Sequence, residues 1–157
     1  MPYVKRQGTV DILDGAGASI AVITDVGDFS VSGASEGGAD AIAVLNRSAY
    51  AGHVKGDDTE HSGSFSFRQV IETATSGGAS RPWDVFMQTG SHAAETTDNP
   101  IATGPWTGRI KYTLTDGATI ASWTYGNVRF GSIDLDESGD TVITTVNFTC
   151  YGEPTTA

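Results

Sequence analysis

Between Arg109 and Tyr125 the chain alternates: Ile110, Tyr112 and Leu114 take one side, Lys111 and Thr113 the other, and Asp116-Gly117 then leads into TIASWTY. Period-two alternation around an Asp-Gly pair predicts a β-hairpin, because Asp-Gly accepts the positive φ that tight hairpin turns need. A second hairpin is predicted from VRFGSIDL and TVITTVNFTCY around the turn ESGD. Its last strand places Val142, Val146, Phe148 and Cys150 on one side and Thr141, Thr145, Asn147 and Thr149 on the other. Earlier strands are expected at YVKRQGTVDI, SIAVIT, DFSVSG, AIAVLN and SFSFRQV, about eight or nine in all. One segment breaks the pattern. In SRPWDVFMQTG, Ser80 suits a cap, Pro82 a first turn, and Trp83, Phe86 and Met87 share a face before Gly90, which predicts one short amphipathic helix lying over the core. The expected architecture is all-β, a sandwich or barrel of short antiparallel strands with one short flanking helix, as a single domain over residues 1–157.

Between AIAVLN and SFSFRQV lies NRSAYAGHVKGDDTEHSG, read as a long polar loop over residues 46–63. A loop of that length in a small domain serves a function or waits for a partner to order it. The 20 glycines among 157 residues cluster in DGAGAS, EGGAD and TSGGAS, punctuation that suits short strands.

Charge narrows the function. Nine Lys and Arg against 19 Asp and Glu leave a net charge of −10, which opposes a nucleic-acid grip through phosphate neutralisation. The acids are concentrated: residues 25–60 hold seven against Arg47 and Lys55, and residues 134–140 hold four with no base. These windows serve as solvated surface or as one shared negative surface. The N-terminus lacks a signal-peptide pattern and no run of 18 apolar residues occurs, so cytosolic synthesis without a membrane span is expected.

Recognisable chemistry is sparse. Asp134, Asp136, Ser138, Gly139 and Asp140 resemble the first half of a calcium loop, but position twelve is Thr145 instead of a bidentate Glu, and an acidic turn is the favoured reading. Asp57, Asp58, Glu60 and His61 offer metal-binding or acid–base groups, yet adjacent loop residues rarely converge on one point. His53, His61 and His92 are expected to face solvent. The single cysteine, Cys150, closes no internal disulfide and sits on a buried-looking strand face, where a thiol is inert. No nucleophile elbow, P-loop or zincin motif occurs; no enzyme, cofactor or metal site is expected. Trp106, Trp123 and Tyr125 offer an aromatic platform for sugars, weighed against the commoner core role of such residues.

The order of pieces carries more information than any motif: VGDFSVSG, AIAVLNRSAYAGHVKGDD, SFSFRQV, SRPWDVFMQTG, a hairpin through TDG, and VRFGSIDLDESGDTVITTVNFTCYG. Over residues 18–151 this layout resembles the major tail tube proteins of long-tailed, siphovirus-type bacteriophages. The resemblance implies a small β-sandwich forming rings, usually hexameric, that stack into the conduit for genome ejection. It also implies tape-measure, tail-tip and terminator proteins as partners, double-stranded DNA passing without specific binding, and location in a virion tail assembled in the host cytoplasm. On that basis the inter-ring contact is expected at Asn46, Arg47, Tyr50, His53, Lys55, Asp57, Asp58, Glu60 and His61. An acidic lumen that repels phosphate is expected from Asp28, Glu36, Asp57, Asp58, Asp134, Asp136 and Asp140. Alternatives are another tail ring protein, such as a terminator or a secretion-type tube subunit, and a carbohydrate-binding β-sandwich.

Overall fold

Alternation sorts the last long strand, β9 (Thr141–Tyr151): Thr144, Val146, Phe148 and Cys150 are buried, while Thr145, Asn147 and Thr149 on its other face are half-buried. The computed structural model describes residues 8–23, 26–33, 36–69, 82–116, 118–138 and 141–157. Before β9 come β1 (Gly8–Leu13), β2 (Ser19–Ile23), β3 (Ser30–Ser32), β4 (Ala39–Asn46), β5 (Ala49–Asp58), β6 (Glu60–Gln69), the helix α1 (Pro82–Met87), β7 (Gly108–Asp116) and β8 (Ala118–Ser138). A two-residue strand β10 (Thr155–Thr156) follows and pairs with β8. The main sheet runs β2-β1-β7-β8-β9-β6-β3, with the pairs antiparallel, as the all-β expectation requires.

Two separate strands are expected at 119–125 and 128–135; the chain instead forms one strand of 21 residues. The first half of β8 pairs with β7 as far as Val128, and from Arg129 onward it pairs with β9. Asn127 takes a positive φ of 51° and the register slips between Phe130 and Ser132, a bulge that bends the strand. That bend brings the two wings of the sheet face to face. Val10, Ile12, Ile110 and Val128 come from one side, and Phe65, Phe67, Val146, Phe148 and Cys150 from the other. On the open side Phe29 stacks on Tyr112 at 4.6 Å and lies 6.2 Å from Phe148, joining the wings.

The short helix forms where expected, but its buried face differs. Val85 and Phe86 are buried, with Phe86 against Phe67 and Phe130, whereas Met87 is 51% exposed. Val85 and Phe86 are neighbours about 100° apart around the helix, so the buried side centres between them and Met87 turns away from it. The side chain of Trp83, and Ser80, lie outside the described residues, as do residues 3–7 of the first expected strand, Gly117 of the TDG turn and Asp140. Gly63 is required where it stands: a Cβ there would fall on the Phe148 ring and 2.6 Å from the Ser30 carbonyl oxygen. Behind the sheet, Asp14 accepts from the Ala16 and Ala18 amides at 3.0 and 2.8 Å and sets the β1–β2 turn. Arg109 ties that turn to the segment before β7 by donating to the Gly15 carbonyl at 2.8 Å and to Asp98 at 3.0 Å.

Candidate assembly interface

The expected loop at 46–63 is overturned. Residues 49–58 and 60–63 are extended strand, and β5 pairs with β4 as a hairpin that is a sheet of its own. Its turn is Arg47-Ser48, with φ of 48° and 68°, flanked by the Asn46–Ala49 pair. Left-handed conformations at both central residues match the twist of a two-residue hairpin turn. Polar and small residues hid the strand: with both faces in solvent there is no burial pattern to impose alternation.

Across the hairpin Ile42 opposes Val54 and Val44 opposes Gly52, giving an aliphatic face with a glycine floor. The other face carries Ala41 opposite Lys55, Ala43 opposite His53, and Leu45 opposite Tyr50. Ile42, Leu45, Tyr50 and Val54 are all more than half exposed. The Tyr50 hydroxyl lies 2.7 Å from His53 Nδ1, and Lys55 Nζ lies 3.2 Å from Asp58 Oδ1 in an exposed pair. At the root, the Thr59 amide donates to the Gly38 carbonyl at 3.0 Å, and the Tyr151 hydroxyl donates to Glu60 Oε2 at 2.6 Å. The Glu60 carboxylate that accepts this proton raises the Tyr151 pKa.

The nine residues expected in the axial contact therefore divide. Asn46, Arg47, Tyr50, His53, Lys55, Asp57 and Asp58 lie exposed on the hairpin, and Glu60 is exposed at its root. His61 does not join them. It begins the core-facing row of β6, is fully buried, and opposes Cys150 on β9. His92, also expected in solvent, is buried with Nδ1 2.6 Å from Glu95 Oε1. Both rings are buried, His61 by the facing of β6 and His92 in the Gly90–His92 turn against Glu95, and a polar sequence context reveals neither.

The acids expected in a lumen do not form one cluster. Asp57 and Asp58 belong to the hairpin, Asp28 is exposed before β3, and Asp134 and Asp136 are exposed on one face of β8. Glu36 sits in a short 3₁₀ turn at Glu36–Gly38; its side chain lies outside the described residues. Among the described residues no group of three or more His, Cys, Asp or Glu side chains converges to hold a metal, and no helix is long and apolar enough to cross a membrane. Cys150 is buried as expected, and desolvation pushes its pKa up to about 11. The three aromatic residues weighed for sugar binding fall in two places. Trp106 stacks on Phe130 and donates to the Thr96 carbonyl, while Trp123 stacks on Tyr112 and Tyr125 lies against Phe29.

No family sequence model matches the chain, and no curated protein matches it by sequence. Solved structures do match by fold. A chain of the anti-feeding prophage tube-terminating cap aligns with a TM-score of 0.58 and 11% identity, covering 100% of this chain and 91% of that one. A chain of an extracellular contractile injection system's sheath–tube complex (PVC, extended state) gives 0.54 and 13%, covering 99% and 91%. A chain of the six-fold symmetrised anti-feeding prophage baseplate gives 0.53 and 12%, covering 100% and 96%. At these identities the likeness is one of fold over the whole chain.

Proposed function

We propose that this chain is a structural, non-catalytic subunit of a phage-tail-like tube assembly, self-associating into rings, six-fold in our reading, that stack along an axis. The observation that carries the proposal is the β4–β5 hairpin, which leaves the sandwich with aliphatic side chains exposed on both faces. A lone two-stranded hairpin is marginal in water, so a partner surface gives it a reason to persist. The open sheet supports the same reading. Among the described residues no strand pairs with the outer edge of β2, where Val22 is 59% exposed, and pairing with a neighbour's edge would cover it. The fold likeness to chains of contractile injection system structures adds support, and it moves the setting from siphovirus tails toward the wider group of tail-like particles.

In this proposal the partners are other copies of the chain together with tape-measure, tip and terminator proteins, and the particle tail is its location. Part of the acidic excess lines the bore, so that a polyanion such as double-stranded DNA passes without binding. A second reading, a terminator that closes a tube with a single ring, is favoured by the likeness to a chain of the tube-terminating cap structure. Negative-stain imaging and sedimentation at rising protein concentration test both. Long stacks support a wall subunit and discrete rings a terminator, whereas a lone particle under every condition overturns the proposal.

A further inference from the structure

The two ends of the β6–β9 pairing differ in charge and in what they leave uncovered. The hairpin departs at the end where Glu60 opposes Tyr151; at the other, Gln69 opposes Val142 and β8 runs out to Ser138. The ten residues of β6 separate these ends by roughly 30 Å. Residues 41–56, the outer part of the hairpin, contain Arg47 and Lys55 and no acid, in a chain with a net charge of −10. The far end of β8 is the reverse, with Asp134, Asp136 and Glu137 exposed; Arg68 of β6, across β9 from Asp136, is an exposed base at the same end and leaves the acids in excess. Between these acids Leu135 is 58% exposed although its cross-strand partner Thr144 is fully buried, so it overhangs the rim of the core. The outer hairpin thus presents uncovered aliphatic surface beside two bases, above a root that holds Asp57, Asp58 and Glu60, and the far end of β8 presents Leu135 beside an excess of acid over base. The Lys55–Asp58 pair does not tie the lysine down, since both side chains are well exposed and such a pair is weak.

We propose that the hairpin of one copy docks on the Asp134–Glu137 end of β8 in a second copy. Arg47 and Lys55 face the three carboxylates, and Leu135 is covered by the hairpin's aliphatic residues. The surfaces are distinct, so the contact is head-to-tail and passes from copy to copy without closing on itself. Complementary charges also set the direction: hairpin against hairpin, or acid end against acid end, would oppose like charges. This inference rests on the stacking role proposed above and identifies the surface that receives the hairpin.

Charge exchange tests it. Arg47→Glu with Lys55→Glu should stop assembly at single rings, as should Asp134→Lys with Asp136→Lys. All four changes in one chain should restore stacks, and thermal melts confirm that each variant is folded. Cross-linking supplies a measurement independent of rings. The native Cys150 is buried, so thiols introduced as Ala49→Cys in one population and Glu137→Cys in another report on proximity. Mixed under oxidation, they should give mainly the heterodimer. Stacks that persist in both charge-reversed variants, or cross-links that favour homodimers, overturn the docking proposal and leave the ring reading intact. Heterodimers without any closed ring support the docking and overturn the ring reading. No rings, no stacks and no heterodimer overturn both.

Discussion

His61 on β6 and Cys150 on β9 oppose each other across the sheet, both sealed from solvent, and neither ring nitrogen of His61 meets a hydrogen-bond partner among the described residues. A buried imidazole without partners gives up its water and gains nothing in return. Replacing it with an apolar side chain of similar size removes that penalty. His61→Leu should therefore stabilise the fold by about 1–2 kcal/mol, read as a higher urea midpoint at unchanged slope. A lower midpoint would mean that the ring nitrogens are bonded after all.

Cys150 makes the same rim of the core sensitive to alkali. Its thiol keeps its proton up to about 11, against an ordinary value of 9.0, because burial disfavours the thiolate. Between these values the unfolded chain releases a proton that the folded chain holds. The stability linked to this group is thus complete below 9 and is lost as the pH rises through 11. Thermal melts from pH 8 to 11 should show Cys150→Val falling less steeply than the parent chain. A disulfide-forming reagent at pH 8 should leave the native thiol untouched until denaturant is added; immediate reaction would contradict the burial.

Asp98 is the knot behind the sheet. Its two carboxylate oxygens accept from Arg109 at 3.0 Å and from the Asn127 amide at 2.9 Å, and this bond to Asp98 is the first cause of the raised Arg109 pKa. The Asn127 amide belongs to the positive-φ residue where β8 passes from one wing to the other. Asp98→Ala leaves both donors short and should cost about 1–3 kcal/mol. Asp98→Asn keeps an acceptor for the amide and should cost about half as much. Equal losses in chemical denaturation would assign the whole effect to the Arg109 charge pair.

What could be read from the sequence follows from which faces are wetted. β7 and β9 were legible because each has one face in the core, so Ile110, Tyr112, Val146 and Phe148 alternate with polar neighbours. The β4–β5 hairpin was half legible. AIAVLN reads as a strand, but AYAGHVKGDD has no buried face to pattern it, and Arg-Ser is no turn signature although both residues are left-handed here. The length of β8 was hidden by Gly126-Asn127, which reads as punctuation and serves instead as a bend within one strand. Position along the chain offers the hairpin residues as candidates for the axial contact; it does not offer the inward facing of His61, because facing depends on the register of β6 against β9, a relation between segments some eighty residues apart.

The hairpin itself gives the sharpest separation of fold from function. Residues 41–56 lend no side chain to the buried core, and the exposed aliphatic groups on both faces show that the rest of the chain does not need to cover them. Joining Asp40 to Asp57 by an Asn-Gly turn should leave the sandwich folded, with Tm within about 3 °C of the parent, since only a marginal two-stranded element is removed. The root contacts are retained: the Thr59 amide still reaches the Gly38 carbonyl, and Tyr151 still donates to Glu60. Stacking should be lost, with sedimentation showing no species larger than a ring. Stacks formed by the shortened chain would place the axial contact elsewhere, while a large fall in Tm would mean that the hairpin supports the core and that its exposed face has a structural origin.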